Sequence, residues 1–450
     1  MLTGKGKIRQ VIKKSGGIAV GKKLIIFSVD ALVYEDLQIL KNKPNFKKIL
    51  SEGSRINRMR SIYPTVTYPV HATLITGTYP ETHGVINNEE FHVGELASNW
   101  NWFNESIRVP DIFDAAKKAG KTTAAVYWPI TGNHESIDYL INEYCSLDKE
   151  ADIHKLFVES GTSEELYETI VKKYGEGLSV GTHPDADNFC INCACDIIRK
   201  YKPDVLAVHP ANIDGMRHKT GVFSSAVTQA LNDVEKHLEQ LITATRNAGV
   251  FDETNFIILS DHGQMNITRV LNPNVLLKEA GFIDTDDEGK IIDWRAYSHS
   301  AAMSAQIYLK DPNDDEVNLE VYELLCRLQE EQVYGIGQVF TREEIREKEH
   351  LNGDFSFVIE TDGFTTFGND WNRPLVSSLD TTDYKFGHAT HGYLPEKGPQ
   401  PVFMAYGPDI KKGVVIERES IINVAATIAK LFGEKLEYSD GQSMDEILNI

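Results

Sequence analysis

The stretch that decides the fold is KKLIIFSVDAL, residues 22–32, a continuous apolar run that closes on the acid Asp30. A strand without alternating polar positions is buried on both faces, which is typical of a parallel sheet covered by helices on each side. Each further run of this kind is short and is closed by polar residues, glycine or proline. These runs lie at residues 121–130, 202–214, 254–263 and 400–409.

Amphipathic helical patterns lie between the apolar runs, at residues 109–120 and 224–249. In the second segment the apolar residues recur at the spacing of one helix face: Val227, Ala230, Leu231, Val234, Leu238 and Leu241. Strands that alternate with helices predict an α/β fold with a doubly wound, mostly parallel sheet flanked by helices. The chemistry of such folds lies at the carboxyl ends of the strands, so the candidate site residues are those that follow the strands.

The chain of 450 residues is longer than the roughly 250–300 residues at which a single core stops growing. Between residues 271 and 380 the pattern changes to two strand-like runs, a helical run and a charged stretch that we interpret as solvated. These lie at residues 295–311, 354–364, 316–332 and 342–354, respectively. We predict a core formed by residues 1–270 and 381–450. Residues 271–380 are predicted to form a smaller inserted α+β subdomain, the cap, which shapes the substrate pocket.

The net charge of −20 argues against a nucleic-acid polymer as partner, because phosphate backbones are bound by clustered lysine and arginine. A small phosphorylated substrate is compatible with this charge, since bound divalent cations would offset the carboxylates of a site. No stretch reaches the roughly 20 apolar residues that span a bilayer, so no membrane partner is expected. Residues 1–23 lack the unbroken apolar run, roughly 7–15 residues long, of a secretory signal. We therefore expect a cytoplasmic protein.

The cysteine content agrees with this expectation, since the five cysteines are odd in number and do not indicate a disulfide framework. Cys190, Cys193 and Cys195 fall in a segment of helical periodicity. A zinc-finger site would need a second cysteine pair at matching spacing, which the sequence lacks. We interpret these three cysteines as buried packing residues, because a free thiol behaves as a small hydrophobic group.

Four separate segments place histidine and aspartate where a strand ends or beside a glycine. A single aspartate after a strand is more often a helix cap, but the joint occurrence favours metal ligands. Carboxylates and imidazoles together suit Zn²⁺ or a similar borderline ion such as Mn²⁺. Two such ions form a clamp for in-line displacement at phosphorus, so we predict two divalent metal ions and a small phosphorylated substrate. The candidate ligands are Asp30, Asp214, His218, Asp261, His262 and His391.

Residues 61–91, SIYPTVTYPVHATLITGTYPETHGVINNEEF, supply the nucleophile. Thr67 stands just before a predicted helix start, where the helix N-terminus favours a nearby phosphoryl group. Metal coordination deprotonates a hydroxyl without a general base. We expect Asn88, at the far end of the segment, to donate a hydrogen bond to a non-bridging phosphoryl oxygen. Three other threonines are available in principle, and we interpret them as capping or packing residues: Thr65, Thr73 and Thr76.

These motifs resemble the nucleotide pyrophosphatase/phosphodiesterase branch of the alkaline phosphatase superfamily. The resemblance begins with the segment from Pro64 to His71 and continues from Thr76 through His83 to Asn88. It covers most of the core and is weak across the cap. The other matching motifs are Asp214 with His218, Asp261-His262-Gly263, and His391-Gly392-Tyr393.

The resemblance implies a metal-dependent hydrolase of the phosphodiesterase or pyrophosphatase type. Thr67 would attack phosphorus to form a phospho- or nucleotidyl-threonine, and a metal-activated water would hydrolyse that intermediate. Asn88 and the backbone N–H of Thr67 would donate to the phosphoryl oxygen. The resemblance also implies two ligand sets: Asp214, His218 and His391 for one ion, and Asp30, Asp261 and His262, with Thr67, for the other.

Two departures from the family pattern leave alternatives open. Ala31 stands after Asp30 where the family usually has glycine, and this bears on loop shape. Residues 208–214 also resemble ethanolamine-phosphate transferases and phosphonoacetate hydrolases. A C–P bond hydrolase or a phosphomonoesterase on the same site is therefore an alternative function, and a non-catalytic metal-binding scaffold is another. A phosphonoacetate hydrolase would need a cation against the substrate carboxylate, for which the candidates are Lys219, Lys385 and Arg373.

Four further residues lie near the predicted site. His209 and His388 are close in sequence to predicted ligands, and we interpret them as contacts to the ligands or the substrate rather than as ligands themselves. Tyr127 and Trp128 follow a predicted strand. They either stack on a nucleobase at the mouth of the site or pack in the core.

Overall fold

The computed structural model describes residues 23–144, 152–175, 178 and 182–450. The segment on which the expectation of no secretory signal rests, residues 1–23, lies outside this range except for Lys23. The strands in chain order are β1 Lys23–Ser28, β2 Ser54–Arg60, β3 Thr123–Val126, β4 Tyr139–Ile141, β5 Val205–Val208, β6 Thr254–Leu259, β7 Met265–Asn266, β8 Arg269–Leu271, β9 Ile283–Thr285, β10 Ile291–Trp294, β11 Ala296–Ala301, β12 Ser304–Leu309, β13 Ile336–Thr341, β14 Phe357–Thr361, β15 Thr365–Phe367, β16 Val376–Ser377, β17 Ala389–Thr390, β18 Phe403–Tyr406 and β19 Val415–Ser420.

The α-helices alternate with the strands of the core, as the sequence pattern predicts. They are α1 Leu37–Leu40, α2 Pro44–Glu52, α3 Thr67–Thr76, α4 Pro80–His83, α5 Ile112–Lys118, α6 Ile153–Glu159, α7 Glu164–Leu166, α8 Lys172–Gly175, α9 Asp185–Tyr201, α10 Asn212–Thr220, α11 Ser225–Ala248, α12 Pro273–Glu279, α13 Asp315–Glu330, α14 Arg342–Glu349 and α15 Asn423–Leu431. Local chemistry sets the ends of α11, where the Ser224 side chain accepts from Val227 N and Gly249 closes the helix at φ 73°.

The central sheet has eight strands in the order β19-β2-β18-β6-β1-β5-β3-β4. Five of its seven strand pairings are parallel, and only β18 runs against its neighbours β2 and β6. All five predicted apolar runs form strands of this sheet and occupy adjacent positions. The predicted α/β fold with a mostly parallel sheet is therefore confirmed.

Helices cover both faces of the central sheet, which is why its inner strands lack polar positions. Along β1, Ile25 and Phe27 face one core, whereas Leu24 and Ile26 face the other. The first core includes side chains of α2, α9 and α11. The second includes side chains of α3, α5 and α15. Every residue of β1 except Lys23 is buried, as expected for a strand between two helical layers.

Three strands of the sheet were not predicted. In β2, buried residues alternate with half-buried charged ones such as Arg55 and Arg58, and most of the edge strand β19 is exposed or half-buried. The other edge strand, β4, has three residues. Strands at or near a sheet edge carry polar residues on their open side, so they lack the apolar run that identifies the inner strands.

Residues of the predicted cap form a second sheet, antiparallel, in the order β11-β12-β14-β13. Helix α13 packs on it through Val321 and Leu325. The charged stretch that we interpreted as solvated forms helix α14, which begins in a capping box between Thr341 and Glu344 and buries Ile345. The division into core and cap stays a prediction.

The three cysteines of α9 are buried in the first core. Burial raises the pKa of all three thiols, that of Cys195 to about 12, which keeps them neutral. Within the part of the chain that the structure describes, no helix is both long enough and apolar enough to cross a membrane.

Candidate active site

Five of the six predicted ligands come after three neighbouring strands, β6, β1 and β5, and the sixth, His391, follows the short strand β17. Asp30 lies two residues after β1, Asp214 lies on α10 after β5, and Asp261 lies two residues after β6. The backbone N–H of Asp30 donates to the Pro210 carbonyl at 3.2 Å, which ties the loops after β1 and β5 together. Adjacent parallel strands therefore bring residues that are far apart in sequence to one edge of the sheet.

The loop after β1 has an unusual backbone at Ala31, with φ at 57°. Glycine adopts this left-handed conformation without steric cost, which accounts for the glycine that the resembled family usually carries here. The Ala31 N–H donates to Asp261 Oδ1 at 3.2 Å. The alanine therefore keeps the loop shape, at a strain of roughly 1 kcal/mol.

The first cluster consists of Asp214, His218 and His391, whose ligand atoms lie within 4.8 Å of one another. Asp214 Oδ2 is 3.1 Å from His218 Nε2, and Asp214 Oδ1 is 3.8 Å from His391 Nε2. His218 Nδ1 donates to the Ala389 carbonyl at 2.7 Å, and His391 Nδ1 donates to the Thr65 carbonyl at 3.0 Å. Because carbonyl oxygens only accept, both rings hold their hydrogen at Nδ1 and present the lone pair of Nε2.

The second cluster consists of Asp30, Asp261 and His262. His262 Nε2 lies 3.2 Å from Asp261 Oδ2 and 3.6 Å from Asp30 Oδ1. The two clusters are contiguous, since the rings of His262 and His391 stack at 3.9 Å between centroids. Ligand atoms of Asp30, Asp214 and His262 also lie within 4.8 Å of one another. The structure thus brings all six predicted side chains together.

Glycine is required after His391 because the chain passes close to the cap sheet. Gly392 has φ 92°, and a Cβ atom there would lie 2.0 Å from the Ala301 carbonyl oxygen. The Gly392 N–H donates to the Thr65 carbonyl at 3.0 Å. The tight passage holds His391 against the loop that precedes α3.

Thr67 is the first residue of α3, directly after the extended residue Val66. Its Oγ1 lies 3.2 Å from His262 Nε2 and its side chain lines the cavity above the clusters. One turn later, His71 Nδ1 donates to the Thr67 carbonyl at 2.8 Å, and the Ser28 hydroxyl donates to His71 Nε2 at 2.9 Å. This contact fixes the helix start that carries Thr67.

Asn88 is held by the backbone of the same helix start. Its Oδ1 accepts from the Tyr68 N–H at 2.8 Å, so its amide nitrogen is left to face the cavity beside the Tyr384 hydroxyl. A donor fixed in this way beside Thr67 is suited to a developing charge on a phosphoryl oxygen. The other candidate threonines are committed elsewhere: Thr65 to the Tyr393 carbonyl, Thr73 to the Thr78 carbonyl and Thr76 to the Ala72 carbonyl.

The two clusters fit divalent cations. Among the described residues, Asp30 Oδ1, Asp261 Oδ2 and His218 Nε2 are buried without a hydrogen-bond partner. Burial raises the pKa of Asp30 well above its usual range, and the nearby carboxylates Asp261 and Asp214 raise it further. Because unpaired buried carboxylates cost several kcal/mol each, a donor set of this kind calls for bound positive charge.

The clusters open into a cavity of about 720 Å³ with an aromatic wall. Trp100 and Trp102 stack at 5.4 Å between ring centroids, and Tyr68 meets Trp100 edge-on at 5.1 Å. Tyr384 completes the wall 5.2 Å from Trp100. Sequence reasoning missed this wall, although the segment NWNWFN, residues 99–104, alternates tryptophan with asparagine outside any strand or helix pattern.

We predicted that Tyr127 and Trp128 either stack on a base or pack in the core, and the structure shows that they pack in the core. Trp128 is 1% exposed and packs edge-on against His71 at 5.0 Å. Tyr127 packs against Phe189 at 5.6 Å. Neither side chain lines the cavity.

The three candidates for a cation against a substrate carboxylate differ in their position relative to the cavity. Lys219 lines the cavity, whereas Lys385 is buried in an ion pair with Glu89 and Arg373 is 71% exposed and pairs with Glu279. Of the two additional histidines, His209 lines the cavity with Nε2 3.3 Å from Asp30 Oδ2. The His388 side chain is exposed.

A mostly parallel sheet with carboxylate and histidine clusters at its carboxyl edge fits the class that the sequence motifs resemble, the alkaline phosphatase superfamily. Within it, the profile described as type I phosphodiesterase / nucleotide pyrophosphatase matches residues 24–394. The chain belongs to this family, which confirms the predicted resemblance.

Relatives and solved structures agree with this membership. A venom phosphodiesterase of Naja atra is 24% identical over 422 residues, covering 91% of this chain and 44% of the relative. Ectonucleotide pyrophosphatase/phosphodiesterase family member 3 of Bos taurus is 27% identical over 247 residues, covering 53% of this chain and 24% of the relative. The chain therefore spans less than half the length of these relatives.

The fold is that of murine ectonucleotide pyrophosphatase/phosphodiesterase 5, with a TM-score of 0.66 and 20% identity over 95% of this chain and 100% of the murine one. The human protein gives a TM-score of 0.67 at 18% identity, with the same coverage. An inactive threonine-to-alanine variant of the murine protein, in complex with AMP, gives 0.65. None of these comparisons favours the phosphonoacetate hydrolase alternative.

Proposed function

We propose that the chain hydrolyses phosphodiester or pyrophosphate bonds of a small organophosphate through a covalent intermediate on Thr67. The observation that carries the proposal is the position of Thr67 Oγ1, at the N-terminus of α3 and 3.2 Å from His262 Nε2. Family membership supports the reaction class. A threonine hydroxyl is a weak nucleophile, so its place beside the cluster of Asp30, Asp261 and His262 is what suits it to attack.

Two divalent cations, Zn²⁺ or Mn²⁺, would lower the pKa of the Thr67 hydroxyl and of water and offset the charge of the phosphoryl group. The side chains that would hold them are Asp214, His218 and His391 for one ion, and Asp30, Asp261 and His262 for the other. The hydrogen bonds from His218 and His391 to backbone carbonyls keep both rings oriented for this task.

In the first step the Thr67 hydroxyl loses its proton to solvent and Oγ1 attacks phosphorus. The bond from phosphorus to the leaving oxygen breaks, and the leaving group keeps the electron pair and takes up a proton from water. The product is a phospho- or nucleotidyl-threonine. In the second step water attacks the same phosphorus and the bond to Thr67 Oγ1 breaks, which regenerates the hydroxyl. The Asn88 amide donates to a non-bridging oxygen in both steps, and the first turn of α3 favours the negative charge there.

The aromatic wall supports a nucleotide-like substrate. Trp100 is half-buried and, like Tyr384, lines the cavity. Base–aromatic stacking stabilises a bound base by roughly 1–3 kcal/mol. The complex of the murine relative with AMP supports the same substrate class.

The test is a comparison of substrates and of two threonine variants. With zinc-loaded protein, we expect turnover of bis(p-nitrophenyl) phosphate and of p-nitrophenyl thymidine 5′-phosphate, and slower turnover of p-nitrophenyl phosphate. Thr67→Ala is expected to abolish turnover with unchanged zinc content. Thr76→Ala, which removes a hydroxyl bonded to the Ala72 carbonyl on the same helix, should keep it. Phosphate release from phosphonoacetate alone, or an active Thr67→Ala variant, would overturn the proposal.

A further inference from the structure

A buried ion pair lies beside the cavity, outside both metal-ligand clusters. Lys385 Nζ donates to Glu89 Oε1 at 2.8 Å and to Oε2 at 3.1 Å. Their side chains are 2% and 3% exposed, respectively. Removing two charges from water costs several kcal/mol per ion, and apolar residues of similar size often stabilise a fold equally well. Stability alone therefore does not account for this pair.

The pair joins chain segments 296 positions apart, and each member follows a cavity residue in sequence. Glu89 comes directly after Asn88, and Lys385 comes directly after Tyr384. The Tyr384 hydroxyl donates to Glu89 Oε1 at 3.3 Å and stands beside the Asn88 amide. The ion pair thus fixes the distance between the two sides of the cavity at the point where Asn88 faces inward.

The backbone around Glu89 extends this connection to the aromatic wall. Glu89 forms an antiparallel bridge with Trp100, and the Asn101 N–H donates to the Asn88 carbonyl at 2.9 Å. The loop that carries Asn88 has no helix or strand of its own to hold it. Its neighbours Ile86 and Asn87 are held by hydrogen bonds to Gln306, Ser300 and Asn101. Asn88 itself is held by the bond from the Tyr68 N–H, and the bridge and the buried ion pair hold the next residue, Glu89.

We infer that the Glu89–Lys385 ion pair is a positioning element that holds the Asn88 amide in place for the phosphoryl oxygen. This inference rests on the role proposed for Asn88. The pair does not face the substrate, so its loss should misplace a group that acts in the transition state. A displacement of about 1 Å in such a group costs up to roughly 100-fold in rate. The loss should therefore appear in kcat and leave KM nearly unchanged.

The experiment compares five variants. They are Glu89→Leu, Lys385→Met, the double variant with both of these substitutions, Asn88→Ala, and the triple variant with all three substitutions. The single variants leave one buried charge unpaired and should lower Tm strongly, whereas the double variant should recover most of the stability. All three should lose about ten- to hundredfold in kcat at nearly constant KM and unchanged zinc content. If the pair acts through Asn88, the triple variant should be no slower than Asn88→Ala alone.

Two controls separate positioning from stability. Lys385→Arg keeps a bidentate pair and should restore kcat to near the wild-type value. Lys23→Met removes the ion pair with Asp204 at the opposite end of the sheet, so it should lower Tm without changing kcat. Provided that the wild-type enzyme is active, either of two results would overturn the inference. One is a double variant with wild-type kcat, and the other is a triple variant in which the loss in kcat of the double variant adds to that of Asn88→Ala. An inactive wild-type enzyme would instead overturn the proposed function.

Discussion

The side-chain oxygen of Thr67 lies 3.2 Å from Nε2 of His262, although the two residues are 195 positions apart in the chain. The contact joins the start of α3 to the loop after β6, and His262 in turn lies against Asp30 and Asp261. A hydroxyl, two carboxylates and an imidazole thus lie close together at one buried position. We expect the chemistry of the protein to depend on that point.

Each ligand cluster should hold one ion. His218→Ala removes a ligand of the first cluster and Asp261→Asn removes a charged ligand of the second, so each variant should lose one of two zinc ions. Elemental analysis of the purified variants by mass spectrometry measures the ratio of zinc to protein directly. His388→Ala is the matched control, because His388 is exposed although it lies three residues before the predicted ligand His391. Unchanged zinc content in both ligand variants would contradict the assignment.

The aromatic wall should select substrates that carry a base. Trp100→Ala should raise KM for p-nitrophenyl thymidine 5′-phosphate by about tenfold, given the 1–3 kcal/mol of a stacked base. It should change KM for methyl p-nitrophenyl phosphate, which has no base, much less. Steady-state kinetics on both esters checks this difference. Trp128→Phe alters a buried tryptophan that does not line the cavity, and the same base-specific effect there would count against the wall.

The fold and the convergence of the candidate ligands could be predicted from sequence, because the signals that identify them are local. The five inner strands are apolar on both faces, so each can be identified from a short stretch of sequence. Asp30 and Asp261 each lie two residues after such a strand, Asp214 and His218 lie on the helix after another, and parallel neighbours place their carboxyl ends at one edge. Helix α14 also had a local signal that we did not use, since Thr341 and Glu344 form a capping box.

Other features of the site depend on contacts between residues that are far apart in the sequence. Trp100 lies at the cavity on a segment that forms a bridge with Glu89, and its ring contacts Tyr384, which is far away in sequence. The partner of Lys385 lies 296 positions away, so a lysine that appeared available for a substrate carboxylate is in fact neutralised. Strand β2 was missed because its arginines interrupt the apolar pattern.

The stability of the fold should depend on pH through His134. Its Nε2 donates to Asp111 Oδ2 at 2.9 Å, at the N-cap of α5, and protonation of the ring at Nδ1 gives up the bond that Nδ1 accepts from Ser136 N. Burial alone would lower the pKa of His134, but the carboxylates of Asp111, Asp114 and Glu135 outweigh it and raise the pKa. The stabilisation is therefore complete below about pH 6.5, the unfolded value, and is lost as pH rises through the folded value.

His134→Gln should consequently lower Tm more at pH 5.5 than at pH 9. Thermal unfolding of both proteins followed by circular dichroism at the two pH values measures this. An equal or larger effect at pH 9 would show that the ion pair with Asp111 does not stabilise the fold.

The most direct test of the central claim is to trap the intermediate on Thr67. Zinc-loaded protein is mixed with p-nitrophenyl thymidine 5′-phosphate, quenched in acid during turnover and measured by intact-protein and peptide mass spectrometry. We predict a thymidylyl adduct on the peptide that contains Thr67, absent from Thr67→Ala and present in Thr76→Ala. An adduct on another residue would contradict the proposed nucleophile. So would turnover in a sample that is quenched before product release and in which no peptide carries an adduct.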